Sequence, residues 1–270
     1  DAYPFHISHW FDLSYRIDRI RQMLTETEKP GVDDFKAMQS DVKAIIAEKM
    51  TPTIIEEVNK KEKLSEAERE AVKLLAEWDF VMDKNKPQPA IFETFYINYM
   101  ENIIRDEMGD DIFKEFVKHK VLVRNIVNQT WQNRQSTWCD NVNTKDKTEN
   151  FTDIVQESFE DALLKLDEKT GGKPQDWKWG DIHKLTIAHP MAKVKVLNWL
   201  FDLNSKTYPI SGSFHTVCPY AYSFANPFKA VHGASHRHIY STADWNESLS
   251  IIPTGVSGVP LSKYYGNQTQ

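Results

Sequence analysis

The sequence predicts an α+β chain, with helices in the first two thirds and strands in the last third. Up to residue 172, apolar residues recur at the three- and four-residue spacing of amphipathic helices. After Gly172, short runs of aromatic and β-branched residues alternate with Pro, Gly and Asn, which is typical of strands joined by turns. We therefore expect a helical region over residues 1–172 and a β-rich region over residues 173–270, packed as one structural unit.

The first predicted helices span residues 12–24 and 33–50, each with one apolar stripe. Asp33 or Asp34 is expected to cap the second of them, because a short carboxylate can accept from a free backbone N–H of the first turn. A short helix is then predicted to begin at Pro52, which has no N–H to satisfy in a first helical turn. The stripe of the first helix consists of Leu13, Ile17, Ile20, Met23 and Leu24.

Three further helices are predicted before residue 172. Ser65 and Glu68 have the spacing of a capping box, in which each side chain accepts from the other residue's backbone N–H. Residues 90–108 form a helix rich in aromatic side chains, and residues 152–166 form one that is closed by the glycines after it. Residues 125–149 are rich in Asn, Gln and Thr, so we expect a surface excursion there.

The strand-rich third contains four predicted strands and two histidines with metal-ligand spacing. The strands cover residues 181–188, 214–219, 235–240 and 248–253. His236 and His238 alternate along the third of them, which places both imidazoles on one face, where a metal could use them. A third ligand with matching spacing is missing from the sequence. We therefore predict no metal site and no cofactor.

Composition and charge argue against several classes of function. The 270 residues carry a net charge of -6 at pH 7, which does not suit a surface that neutralises phosphates, so nucleic acid is not an expected partner. No run of about 18 apolar residues occurs, so no membrane span is predicted. Cys139 and Cys218 lie far apart in sequence and leave the disulfide and the redox compartment open.

Three groups of motifs follow one another along nearly the whole chain. They are YPFH at residues 3–6 with YRIDRI at 15–20, WKWGDIHKL at 177–185 with HP at 189–190, and GAS, DWNESL and GVSGVPLS between residues 233 and 262. Together they resemble the penicillin acylase family, whose members are N-terminal-nucleophile hydrolases that cleave amide bonds of N-acyl compounds. The resemblance implies an αββα sandwich and places this chain in the C-terminal half of the large subunit.

The resemblance also assigns roles to particular residues. Arg16 matches the arginine that orients the family's asparagine and the substrate near the oxyanion site, a task suited to a rigid guanidinium fork. His183 and His189 fall in the second motif group but are not catalytic in the family, so they are expected to be structural and hydrogen-bonded. Some members bind calcium near the YP element, but the corresponding position here is close to Ile7, an aliphatic residue that cannot ligate a hard cation.

The resemblance further implies what the chain would need from outside. No residue matches the family's N-terminal serine, so an upstream segment is expected to carry the nucleophile, and these residues alone are expected to be inactive. A small N-acyl amide is the implied substrate, and a periplasmic or secreted location follows from the resemblance only. The alternative is a non-catalytic helical and β scaffold or binding module that has kept the fold. Val256 and the Lys263-Tyr264 pair depart from the family pattern, so substrate preference is not carried over.

Overall fold

The chain is mixed α/β, with helices dominating its first part and strands its last. The computed structural model describes residues 4–8, 11–186, 189–201, 203 and 207–268. The helices are α1 Tyr15–Glu26, α2 Val32–Gln39, α3 Ile45–Val58, α4 Glu66–Ala76, α5 Pro87–Phe116, α6 Lys120–Gln132, α7 Phe151–Thr170, α8 Trp179–Ile182 and α9 Lys195–Phe201. The strands are β1 Lys184–Thr186, β2 Thr207–Pro209, β3 Tyr220–Ser223, β4 Asn226–Gly233, β5 Arg237–Ile239 and β6 Leu249–Ile251.

Two helix starts follow local capping rules. Ser65 Oγ accepts from Glu68 N at 3.2 Å and Glu68 Oε2 accepts from Ser65 N at 2.7 Å, which confirms the predicted capping box of α4. Helix α2 begins differently from the prediction, because Gly31 occupies the N-cap. Asp34, in the first turn, contributes to the cap through its Oδ2, which accepts from Gly31 N at 2.8 Å.

The single helix predicted over residues 33–50 is wrong. The chain leaves helical geometry after α2, and Lys43 pairs with Val81 in an isolated antiparallel bridge before α3 begins. Two long-range backbone hydrogen bonds hold this break, from Ala44 N to Phe80 O at 3.0 Å and from Met82 N to Val42 O at 2.9 Å. Contacts with a distant segment therefore override the local helical pattern.

The predicted helix start at Pro52 is also wrong, because α3 runs straight through this residue. An internal proline removes one backbone hydrogen bond, which costs about 3 kcal/mol in a helix interior. The neighbouring side chains of Met50 and Ile54 are buried in the core. We attribute the continuity of α3 to this packing, since helix stability in proteins comes mostly from the buried face.

The polar segment 125–149 is only partly a surface excursion, since α6 occupies it as far as Gln132. Val123, Val127 and Thr130 are buried at helical spacing. Trp131 packs against the rings of Tyr99 and Phe151, each with a centroid separation of 5.2 Å. The few apolar residues of this segment recur at helical spacing, but the many polar residues between them hide this pattern in the sequence.

Within the described residues, four strands form one sheet in the order β2-β1-β4-β3, and β5 and β6 form a separate antiparallel pair. The strands predicted over 235–240 and 248–253 are confirmed as β5 and β6. The strand predicted over 181–188 begins instead as α8 and becomes β1 at Lys184, and its last two residues lie outside the described part, as does Tyr3 of the first motif group.

The strand predicted over 214–219 is wrong, and β2, β3 and β4 were not predicted with these bounds. Residues 214–219 form a turn in which Thr216 Oγ1 accepts from Ser213 N at 3.1 Å and donates to Cys218 O at 2.7 Å. A hydroxyl that bonds its own neighbouring backbone competes with a strand ladder. The apolar side chains that suggested a strand contribute to the hydrophobic core instead, where Phe214 is buried.

One hydrophobic core joins the helices to the four-stranded sheet. Helix α5 lies at its centre, and the predicted aromatic stripe of this helix is completely buried: Phe92, Phe95, Tyr96 and Tyr99 are each 0% exposed. The same core contains Phe159 of α7, Tyr222 of β3 and Phe228 of β4. Helix α5 therefore joins the helical part of the chain to the four-stranded sheet through the shared core.

Candidate functional site

Asp12, just before α1, forms ion pairs with two arginines. Asp12 Oδ2 lies 2.8 Å from Arg124 Nη1 of α6 and 3.4 Å from Arg16 Nη2 of α1. The side chain of Arg124 is only 12% exposed, whereas that of Arg16 is 43% exposed. Arg124 is therefore the anchored partner of the shared carboxylate, and Arg16 is the more exposed one. We call Asp12, Arg16 and Arg124 the Arg16 cluster.

Hydrogen bonds fix this end of α1 onto α6. Tyr15 Oη donates to Asn128 Oδ1 at 2.9 Å, and Asn125 Nδ2 donates to Phe11 O at 3.1 Å. Burial, followed by the nearby Asp18 carboxylate, raises the pKa of Tyr15, so its hydroxyl remains a donor at neutral pH. The backbone that carries Arg16 is thus held at two points, one on each side of Asp12.

A neutral histidine lies beneath the cluster. The guanidinium of Arg124 is 5.6 Å from the centre of the Phe214 ring, and the adjacent His215 is buried. Burial lowers the pKa of His215 well below its usual range, and the charges of Arg124 and Arg16 lower it further. The His215 imidazole therefore stays uncharged at neutral pH, and the positive charge of the cluster comes from its two arginines.

Arg19, in the same YRIDRI motif as Arg16, has a different environment. Its guanidinium forms a bidentate pair with the Asp41 carboxylate, in which Nε donates to Oδ1 at 3.1 Å and Nη2 donates to Oδ2 at 2.7 Å. The two side chains are only 16% and 14% exposed. Arg19 thus joins α1 to the break between α2 and α3, and its donors are largely occupied. Of the two arginines in the motif, Arg16 is the one with a fork available to a ligand.

Sequence reasoning missed two members of the cluster. Asp12 lies four residues before Arg16, a spacing that permits an ion pair on one helical face and could have indicated it. Arg124 left no such signal, because only the packing of α6 against α1 brings it to Asp12.

The histidines of the second motif group are hydrogen-bonded as expected. His183 is completely buried, its Nδ1 lies 2.6 Å from Phe228 O, and its ring stacks on Trp179 with centroids 4.4 Å apart. Burial lowers the pKa of His183 to about 4. His189 Nδ1 accepts from Met191 N at 3.1 Å, and its Nε2 lies 3.2 Å from Gly258 O. The His189 contact joins the second motif group to the third.

Among the residues that the structure describes, no group of three or more His, Cys, Asp or Glu is placed to hold a metal ion. The His236 and His238 rings lie 5.1 Å apart, as their spacing predicts, and His236 Nε2 is 2.7 Å from Ser250 Oγ. Cys139 and Cys218 are both free and buried. Across the described ranges, no helix is both long enough and apolar enough to cross a membrane.

Comparison with known proteins decides the family. The sequence profile of penicillin amidase matches residues 1–270, the whole chain. The chain belongs to the penicillin amidase family. The resemblance read from the three motif groups is thereby confirmed, and the relatives of this family member are acylases.

Two relatives illustrate the similarity. The chain is 24% identical over 289 aligned residues to the acyl-homoserine lactone acylase QuiP of Pseudomonas syringae pv. tomato, which covers 100% of the chain and 34% of that protein. It is 29% identical over 90 residues to the penicillin acylase 2 proenzyme of Pseudomonas sp. (strain SE83), which covers 33% of the chain and 12% of that protein. This penicillin amidase family chain therefore spans about a third of the length of the relative that it matches throughout.

Proposed function

We propose that this chain is part of a hydrolase that cleaves N-acyl amide bonds, and that Arg16 acts at its active site. The observation that carries the proposal is the match of the penicillin amidase family to the whole chain. Within the chain, Arg16 is the motif arginine with an exposed fork, since Arg19 is engaged by Asp41. The remainder of the active site, including the nucleophile, lies in a segment outside these residues.

The chemistry of Arg16 follows from its environment. A guanidinium is charged at all relevant pH values and presents two parallel N–H donors to one acceptor group. Asp12 holds one side of it at 3.4 Å, while Arg124 fixes Asp12 in turn. Arg16 would orient an asparagine or the substrate carbonyl, so that negative charge developing on the carbonyl oxygen is stabilised by donors already in place. The nucleophile would be an N-terminal serine whose α-amine takes up the proton.

An apolar surface on α9 supports the proposal that another segment covers this chain. Trp199, Val196 and Leu200 are 83%, 68% and 60% exposed, and they lie close together on a seven-residue helix. Exposed apolar groups of this density mark contact surfaces in soluble proteins. We propose that the upstream part of the same enzyme packs here, and that the two parts complete an αββα sandwich in the periplasm or outside the cell.

Acyl-homoserine lactones are the substrate class that we favour over penicillins. Relatives named acyl-homoserine lactone acylase align with 100%, 75% and 76% of the chain, whereas the penicillin acylase proenzyme aligns with 33%. Both classes present an amide bond between an acyl group and a ring-bearing amine.

Hydrolysis assays on the full-length protein and on residues 1–270 alone test the proposal. The panel contains acyl-homoserine lactones of increasing chain length, penicillin G and phenylacetyl and long-chain chromogenic amides. We expect turnover by the full-length protein and none by residues 1–270. Turnover by residues 1–270 would place a nucleophile inside this chain. A folded full-length protein that cleaves no member of the panel would favour the scaffold alternative instead.

A further inference from the structure

We propose that a cavity beside Arg237 binds a carboxylate that carries an apolar body. The cavity has a volume of about 610 Å³ and lies between β2, β5, β6 and the break before α3. Arg237 and Lys84 line it together with apolar and uncharged polar side chains. The proposal rests on this geometry and does not depend on the proposed amide hydrolysis.

Arg237 is a half-buried cation without a carboxylate partner in the described part of the chain. Its Nη2 donates to the thiol of Cys218 at 3.1 Å, and its side chain also hydrogen-bonds Tyr220. The other half-buried arginines each have a carboxylate, namely Asp12 for Arg16 and Arg124, and Asp41 for Arg19. A thiol and a hydroxyl orient the guanidinium of Arg237 but do not neutralise it. An anionic ligand would supply the missing charge.

Lys84 is a second basic residue among those that line the cavity. Its backbone is fixed on both sides, because Lys84 N donates to Ser211 Oγ at 3.0 Å and Lys84 O accepts from Gly180 N at 2.7 Å. The described residues that line the cavity include no Asp or Glu. Burial raises the pKa of the Cys218 thiol, and the nearby Asp41 carboxylate raises it further. That carboxylate is already engaged by the fork of Arg19. The field inside the cavity therefore favours an anion.

The rest of the cavity wall combines apolar and uncharged polar side chains and is well anchored. Cys218 N donates to Asp41 O at 2.8 Å, and Ile252 N donates to Gln268 Oε1 at 2.8 Å, so two sides of the opening are tied to neighbouring segments. The volume falls within the roughly 300–1,000 Å³ of small-molecule sites. The apolar side chains of the wall are Val42, Pro209, Ile210, Ile251 and Pro253.

These features together select the ligand class. The guanidinium fork of Arg237 matches the two oxygens of a carboxylate, and Lys84 lines the same cavity. The apolar side chains of the wall can pack against a hydrocarbon body, which inorganic phosphate lacks. An amphipathic monocarboxylate offers a group for the basic residues and a body for the apolar side chains.

Isothermal titration of the full-length protein with sodium octanoate tests the proposal, with octanamide and inorganic phosphate as comparison ligands. We expect saturable binding of octanoate only. Arg237→Gln should weaken it by about 10- to 100-fold, the range for loss of a charge-assisted forked contact, and Lys84→Gln should weaken it less. Lys86→Gln, an exposed lysine outside the cavity, is the matched control and should leave binding unchanged.

Two further variants make the result decisive. Arg16→Ala should leave octanoate binding intact, which separates this cavity from the Arg16 cluster. Arg237→Lys keeps the charge without the fork and should bind with intermediate strength, so it decides the question if Arg237→Gln does not fold. The proposal would be overturned if octanamide bound as well as octanoate, or if phosphate bound in place of octanoate. It would also be overturned if Arg16→Ala lost octanoate binding while Arg237→Lys kept it in full.

Discussion

Tyr222 donates a hydrogen bond of 2.6 Å to Glu93 Oε2, so a carboxyl group is held inside the core between α5 and β3. Glu93 is 0% exposed. Burial raises the pKa of Glu93 to about 7, and the hydrogen bonds from Tyr222 and Ser213 offset only part of that shift. Below about pH 7, Glu93 is therefore mostly protonated and neutral in the folded protein.

The buried carboxyl makes the free energy of unfolding depend on pH. Because the folded-state pKa of about 7 lies above the ordinary value of 4.5, the folded state retains a proton that the unfolded state loses between these pH values. Stability from Glu93 therefore falls as pH rises across this window, by about 3 kcal/mol in total. We expect Glu93→Gln to gain that amount relative to the wild type between pH 4.5 and 7.

Urea unfolding at several pH values measures this difference. The buried His183 and His215, whose lowered pKa values give the opposite slope, are present in both proteins and cancel in the subtraction. Glu62→Gln, at an exposed position, is the control and should show a flat difference. A flat difference for Glu93→Gln as well would mean that Glu93 has the same pKa in the folded and unfolded states.

Arg16→Ala is expected to lower the proposed hydrolytic activity of the full-length protein without lowering its stability. If Arg16 has the proposed orienting role at the oxyanion site, its loss should lower kcat by about 100-fold or more, the range for losing one preorganised donor. The exposed 3.4 Å contact with Asp12 contributes little to folding, so the unfolding free energy should change by less than about 0.5 kcal/mol. Steady-state kinetics and urea unfolding of the same samples give both numbers.

Arg21→Ala is the matched control for Arg16, because Arg21 lies on the same helix with its side chain exposed. It should change neither activity nor stability. Arg16→Lys should recover only part of the activity, since an ammonium keeps the charge without the fork. Full activity in Arg16→Ala would remove this residue from the active site.

Arg19→Met is expected to lower the free energy of unfolding, whereas Arg16→Ala is expected to lower activity. The fork from Arg19 to Asp41 is charge-assisted and mostly buried, and breaking it leaves the Asp41 carboxylate without its main partner. We expect a loss of about 1–3 kcal/mol in urea unfolding. Arg19→Met combined with Asp41→Asn should recover part of it, because the second change removes the unpaired charge. Additive losses would show that the two side chains are not coupled.

Gly180→Ala tests why the second motif group contains a glycine. A Cβ at this position would lie 2.8 Å from Pro209 Cβ and 3.0 Å from Lys84 O, and neither neighbour is the end of a flexible chain. We expect a loss of about 1–3 kcal/mol from overpacking. Gly258→Ala is the control, because a Cβ there meets nothing within 4 Å. Thermal unfolding compares the two variants, and equal melting temperatures would refute the close-approach argument.

The sequence predicted features that depend on neighbouring residues in the chain. The capping box of Ser65 and Glu68, the pairing segments 235–240 and 248–253 and the buried stripe on α5 each rest on local spacing. Such spacing sets the period of buried positions directly. The order of the three motif groups likewise sufficed to indicate the family, which the match to residues 1–270 confirms.

Tertiary structure alone decided the features that depend on distant segments. The break after α2 exists because Phe80 and Met82 bond its backbone, and α3 passes through Pro52 because the residues around it are buried. Arg16 and Arg19 are three residues apart in one motif. Only the packing of α1 against α6 and Asp41 leaves the first fork open and occupies the second. Local spacing places a side chain on a helical face, but its partner comes from whichever segment folds against that face.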